Sequence, residues 1–317
     1  MKSLTQKEKT RSLVEAAMLA ALTVVLLLPT IYLPLLGTLT LFIWPVPITV
    51  LGVRHGLKSS VLAMVTAALI TSILSHPLTV GSLVIWLGFL GIALGYCFRE
   101  KWPPAKTLGT GTLTVLASTL LLFLLTLLIF GVNPLTEGQA LLAESGTQAL
   151  EFYRGLGIPE GQLKQMEDYY LEMVEMFRYL LPATLLLGSI FATFINFSVA
   201  RLILEKLGED VPGLPPFATW QFPRNLLAGY LVGILFVVAG NYYGHNLLLE
   251  IGLNIQVIFN LVLALAGLSV VHYLLGRYRL PRALIILASG IIILNPIFLQ
   301  LVTFLGIVDI AFNLRKL

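Results

Sequence analysis

Among the polar or ionisable residues within or at the edge of apolar runs are Glu15, His76, Asn196, Asn260, His272, Asn295 and Asp309. In lipid such groups are costly, so they pair with one another, bind something or line a path. Glu15 lies in the first turn of its run, where water is within reach. His272 beside Tyr273 sits near a boundary and reads as interfacial. His76, followed by Pro77, stands at the tip of a short link and is the best-placed pocket histidine. The four histidines are scattered and give no metal-ligand spacing. The single Cys97 excludes an intrachain disulfide or a cysteine metal site. No G-x-x-x-x-G-K-[ST], H-E-x-x-H or G-x-S-x-G occurs. The chain therefore carries no P-loop, no metal or cofactor motif, and nothing that argues for catalysis.

Two further features bear on partners. In the opening run, Ala16 and Ala20 lie four residues apart on one helical face, and Ala17 and Ala21 lie beside them. Small residues at this spacing admit another helix closely, either from the same chain or from a docked subunit. Pro29, Pro34, Gly37, Pro45 and Pro47 crowd the next stretch. Irregular backbone is expected over 29–41, as a cap or pocket wall.

The elements that carry these residues are membrane helices. Of the 317 residues 57% are hydrophobic and 11% charged. A soluble domain carries about 25% charged residues, so a soluble enzyme, a secreted disulfide scaffold and a nucleic-acid binder are excluded. Apolar runs of spanning length are expected at 13–28, 41–53, 60–74, 80–98, 108–130, 179–204, 226–242 and 249–275. A last run, 283–312, is interrupted by Asn295-Pro296 and is expected as one tilted, kinked helix, with a hairpin as the alternative. The fold class is all-α and polytopic, with about eight to nine transmembrane helices. Between the fifth and sixth runs lies a long polar link, 131–178, whose residues 163–180 have the apolar spacing of an amphipathic helix. It would lie on the bilayer or close over the outer mouth.

Fifteen of the twenty Lys and Arg residues fall in alternate links: 2–11, 54–58, 99–106, 201–224 and 277–282. Basic residues resist translocation. The expectation is a multi-pass protein of the cell membrane with a cytoplasmic N-terminus.

The opening Ala-x-x-x-Ala helix, the proline-rich stretch and Trp44-Pro-Val-Pro-Ile-Thr-Val-Leu-Gly-Val-Arg-His-Gly56 resemble the start of a substrate-binding S component of energy-coupling factor vitamin transporters. The whole chain is similar to the YybS family of bacterial predicted membrane proteins, through Gln221–Pro223, Gly267–Tyr273 and Leu305–Asp309. The resemblance implies an S-component-like bundle over 1–205, with an outer insertion at 131–178 and added helices over 206–317. It implies a small vitamin-like ligand near Tyr32, His76, Trp86 and Asn196. It also implies docking of a membrane coupling subunit on Ala16, Ala17, Ala20 and Ala21, with energy from separate ATPases. The rival reading is a non-transporting adaptor that holds a partner protein through the 208–224 link and Trp220.

Overall fold

The computed structural model describes Gln6–Tyr278 and Leu280–Arg315. The basic residues Lys2, Arg279 and Lys316, and the side chains of Lys7, Lys9, Arg11 and Arg282, lie outside what it describes. Among the described residues there are helices and no strand. Eight helices are long and apolar enough to cross a membrane, and one further pair is bent. The protein is thus an all-helical polytopic membrane protein.

Two compact units divide the chain, 1–134 with 185–213 and 135–184 with 214–317. The insertion therefore clusters with the C-terminal helices.

The first unit opens with α1 (Gln6–Tyr32) and α2 (Pro34–Leu41). The stretch expected to be irregular is helical apart from a break at Leu33. Pro29 lies inside α1 and Pro34 occupies the first turn of α2, a position where its missing N–H costs nothing. Gly37 lies against the Pro29 and Thr30 carbonyls, and the Thr30 and Thr40 hydroxyls meet at 2.8 Å. Across the break Leu33 N donates to the Pro29 carbonyl at 2.9 Å and Gly37 N to the Leu33 carbonyl, which keeps these backbone groups paired as membrane depth demands. A turn at Trp44 leads to α3 (Val46–His55), then α4 (Leu57–Leu74). Next come α5 (Pro77–Leu83), a π-helical turn over Val84–Gly88, α6 (Phe89–Arg99) and α7 (Pro104–Phe130). Helices α3 and α6 meet at Gly52 and Gly95, where an added Cβ would stand 3.0 Å from the opposing backbone. The core holds Ala20, Ile48, Leu51, Ala63 and Met64.

The second unit starts with α8 (Pro134–Gly155) and the N-terminal part of α9 (Glu160–Lys206). The amphipathic segment is not separate: α9 runs unbroken for 47 residues, about 70 Å at 1.5 Å per residue. The Tyr170 hydroxyl donates to the Leu142 carbonyl, and its ring fills the space at Gly146. Pro182 cannot donate in the helix ladder. One residue on, the ladder is opened by Asn254 of α11 (Asn246–Arg277). Its Oδ1 accepts from Ala183 N at 2.8 Å, and its Nδ2 donates to Tyr179 O at 2.6 Å.

Helices α10 (Asn225–Tyr243) and α11 are antiparallel, because Gly240 faces Leu249 and Gly229 faces Phe259. The start of α10 is therefore level with about Leu263. Beyond that, α11 continues for roughly another 20 Å. On this overhang pack the 214–224 link, α12 (Arg282–Leu294) and α13 (Pro296–Phe312). The last two are bent by 106°, so the expected single kinked helix is corrected to a folded-back pair. Asn295 is extended, as a residue before proline tends to be. Its side chain accepts from Ile297 N at 3.0 Å and caps a new helix. Helix α13 then crosses α11 at Gly306 and Gly267, where neither glycine has room for a Cβ.

Candidate functional site

In the first unit the basic links converge on one end. Glu15 of α1 accepts from Arg54, and its other oxygen lies 3.0 Å from His55 Nε2. Arg54 Nε also reaches Glu209 at 3.2 Å, and His55 Nδ1 meets the Ser12 hydroxyl at 2.8 Å. Lys101 bonds Asp210 at 2.7 Å, holding that exposed carboxyl below its ordinary pKa through the hydrogen bond and the ammonium charge. These ties bring the start of α1, the α3–α4 and α6–α7 links and the segment after α9 to a single charged rim.

Beside this rim a groove of about 390 Å³ runs between α1 and α4. Ser12, Leu13, Ala16, Ala17, Ala20 and Ala63 are among its lining residues. The four alanines divide: Ala20 is buried and Ala16 half-buried against the core, while Ala17 and Ala21 are exposed. Internal packing thus takes one pair, and the other pair faces outward.

At the opposite end stand Tyr32, whose hydroxyl donates to the Leu74 carbonyl, and the exposed His76, two residues past Leu74. Trp86 lies midway along its span on the π turn, a deviation often found at functional positions. Asn196 is elsewhere. It is fully buried beside Phe197, whose ring lies 5.1 Å from that of Phe98. Phe98 is about 30 Å along the helix from His76. The geometry therefore sets Tyr32 and His76 at one end, Trp86 midway and Asn196 toward the other end. Asn196 Nδ2 donates to Ala192 O, and its Oδ1 has no partner.

Among the described residues of this unit, four further groups, none of them a site candidate from the sequence, hold a buried side-chain atom with no partner; Thr193 Oγ1 and Arg201 Nε are two of them. Trp44 Nε1 and Thr71 Oγ1 are both enclosed without a hydrogen-bond partner. Buried polar atoms are usually satisfied, so each has hydrogen-bonding capacity to spare. The edge of the Trp44 ring lies against Gly88 and Met64, next to the π turn that carries Trp86. The tryptophan in a proline-flanked motif was the only signal in the sequence.

In the second unit the 208–224 link does not offer Trp220 freely. Over Leu214–Arg224 it is folded onto α11. The Trp220 indole donates to Pro215 O at 3.1 Å, and Phe217 packs edge-on against both Trp220 and His272.

Among relatives, the chain is 27% identical over 314 residues to a Bacillus subtilis (strain 168) protein named "Uncharacterized protein YybS", covering 98% of this chain and 99% of that one. No solved structure matches. A family described as "Predicted membrane protein (DUF2232)" matches residues 21–310. With nearly its whole length covered by that match, the chain belongs to the DUF2232 family of predicted membrane proteins.

Proposed function

We propose that this membrane protein is a non-catalytic binding subunit of a small-molecule transport system, energised by separate coupling and ATPase subunits. The observation that supports it most is the α1–α4 groove, open along a helix whose Ala17 and Ala21 present no side chain beyond Cβ. Small residues of this kind favour close approach of a second helix in lipid. A transmembrane helix of the coupling subunit is the occupant. The charged rim beside it lies on the cytoplasmic side, by the distribution of Lys and Arg, which places the N-terminus inside. The opposite end, with Tyr32 and His76, then faces outward and, with the Trp44–Trp86 region, takes a small vitamin-like ligand. The chain has no P-loop of its own.

The test is affinity purification of the full chain from its native membrane in mild detergent. Coupling and ATPase subunits are expected to co-purify with the wild type and to be lost from Ala17→Trp, whose side chain fills the groove without entering the core. Unchanged recovery with Ala17→Trp overturns the docking face. Native mass spectrometry of the same preparation reads the ligand separately. A small molecule retained by the wild type and lost from Trp44→Phe supports the outward pocket, and equal retention rejects it.

A further inference from the structure

The segment after α13 turns back through Asn313, whose φ of +50° is left-handed, and buries Arg315. All five guanidinium N–H groups find an oxygen. Nε and Nη2 donate to Asp309 Oδ2 at 3.2 and 2.8 Å. Nη1 donates to Ala218 O at 2.9 Å and Ser269 Oγ at 2.7 Å, and Nη2 also donates to Trp220 O at 2.8 Å. The side chains of Arg315 and Asp309 are 3% and 8% exposed. The acceptors come from three elements: α13, α11 and the 214–224 link. The hydroxyl of Ser269 is fixed in turn by Phe217 O at 2.8 Å. Asp309 Oδ1 is buried and has no partner, so the carboxylate keeps spare acceptor capacity.

This arrangement fits the planar fork of a guanidinium, which needs in-plane acceptors on three sides, and not the compact ammonium of a lysine. We propose that Asp309, Ser269 and the carbonyls of Ala218 and Trp220 form a guanidinium-binding site. The chain's own Arg315 fills it as an exchangeable ligand that latches the 214–224 link onto α11 and α13. Asp309 lies on α13, six residues before Arg315, and the other acceptors come from α11 and the link, so the site is complete without the Arg315 backbone. A guanidinium supplied from elsewhere, free or on a peptide arginine, competes for the same oxygens and displaces Arg315.

The experiment uses the full chain in detergent, with Trp220 fluorescence, protease cleavage within the 214–224 link and thermal midpoint as readouts. Arg315→Ala is expected to lower the midpoint by several degrees and expose the link to cleavage. Guanidinium chloride at tens of millimolar, far below denaturing levels, is expected to restore both in a saturable way, with sodium chloride at equal ionic strength failing. Arg315→Lys is expected to fall between wild type and Arg315→Ala, which keeps a folded variant in hand. Asp309→Asn with Arg315→Ala is expected to lose the rescue. An unrescued Arg315→Ala, or equal rescue by sodium, overturns the guanidinium assignment. Equal response of the double variant overturns the site. An arginine-containing tripeptide that opens Arg315 to trypsin in the wild type supports exchange, and no effect at any concentration overturns exchange.

Discussion

The two units hold ionic groups of the same kinds in opposite ways. At the rim of the first, Glu15 and Arg54 keep 22% and 27% of their side-chain surface exposed, and share their charge with His55 and Glu209. In the second, Asp309 and Arg315 are nearly sealed and pair one-to-one, with neutral oxygens completing the shell. Water screens the first network, so no single pair in it matters greatly. Nothing screens the second, so losing one member strands the other. A pair seen as a distance alone would look alike in both places; the surroundings decide its worth.

That contrast can be broken by substitution. Asp309→Ala leaves a buried guanidinium without its counter-charge and is expected to cost about 3–5 kcal/mol, read from the thermal or denaturant midpoint in detergent. Asn254→Leu keeps volume but leaves Ala183 N and Tyr179 O unpaired. A loss of about 1–3 kcal/mol is expected, with faster hydrogen exchange confined to residues around 179–183. Glu15→Gln at the screened rim is expected to cost about 1 kcal/mol or less, and less still as salt rises. A loss there as large as that of Asp309→Ala would erase the contrast. The smallest effect belongs to Lys101–Asp210, where both side chains are mostly exposed. The lowered Asp210 pKa means its contribution is present above the ordinary carboxylate pKa and fades as pH falls through the lowered one. In Lys101→Ala the Asp210 titration, followed by NMR, is expected to move up toward the ordinary value.

Most of the span positions could be read from the sequence because each is fixed by its own residues: about twenty apolar positions make a crossing wherever they occur. What could not be read depends on residues far away in the chain. Pro182 announces a broken ladder, but nothing local says that Asn254 enters it one residue on. Asn295-Pro296 announces a bend. Its size follows from the Gly267–Gly306 crossing, which joins positions on different helices. The prolines at 29 and 34 suggested loop because proline breaks helices in their middles. Pro34 opens α2, where the missing N–H costs nothing, and Pro29 sits in the last turn of α1, so that the break follows at Leu33. For the candidate site, the alanine stripe was visible, but which pair faces outward was not. Periodicity gives a face without saying what covers it. Trp44 and Thr71 were hidden for a related reason, since a buried atom's missing partner is a property of three-dimensional surroundings.

The Asn254 bridge has a consequence for motion. A helix whose ladder closes on itself can rotate or slide past a neighbour by trading side-chain contacts. At residues 179–183 the closure runs through an amide belonging to α11. Helix α9 is thus pinned axially there, and any shift of α11 must either carry that turn along or tear it open. The exchange rate of one backbone proton, on Ala183, becomes a gauge of where α11 stands.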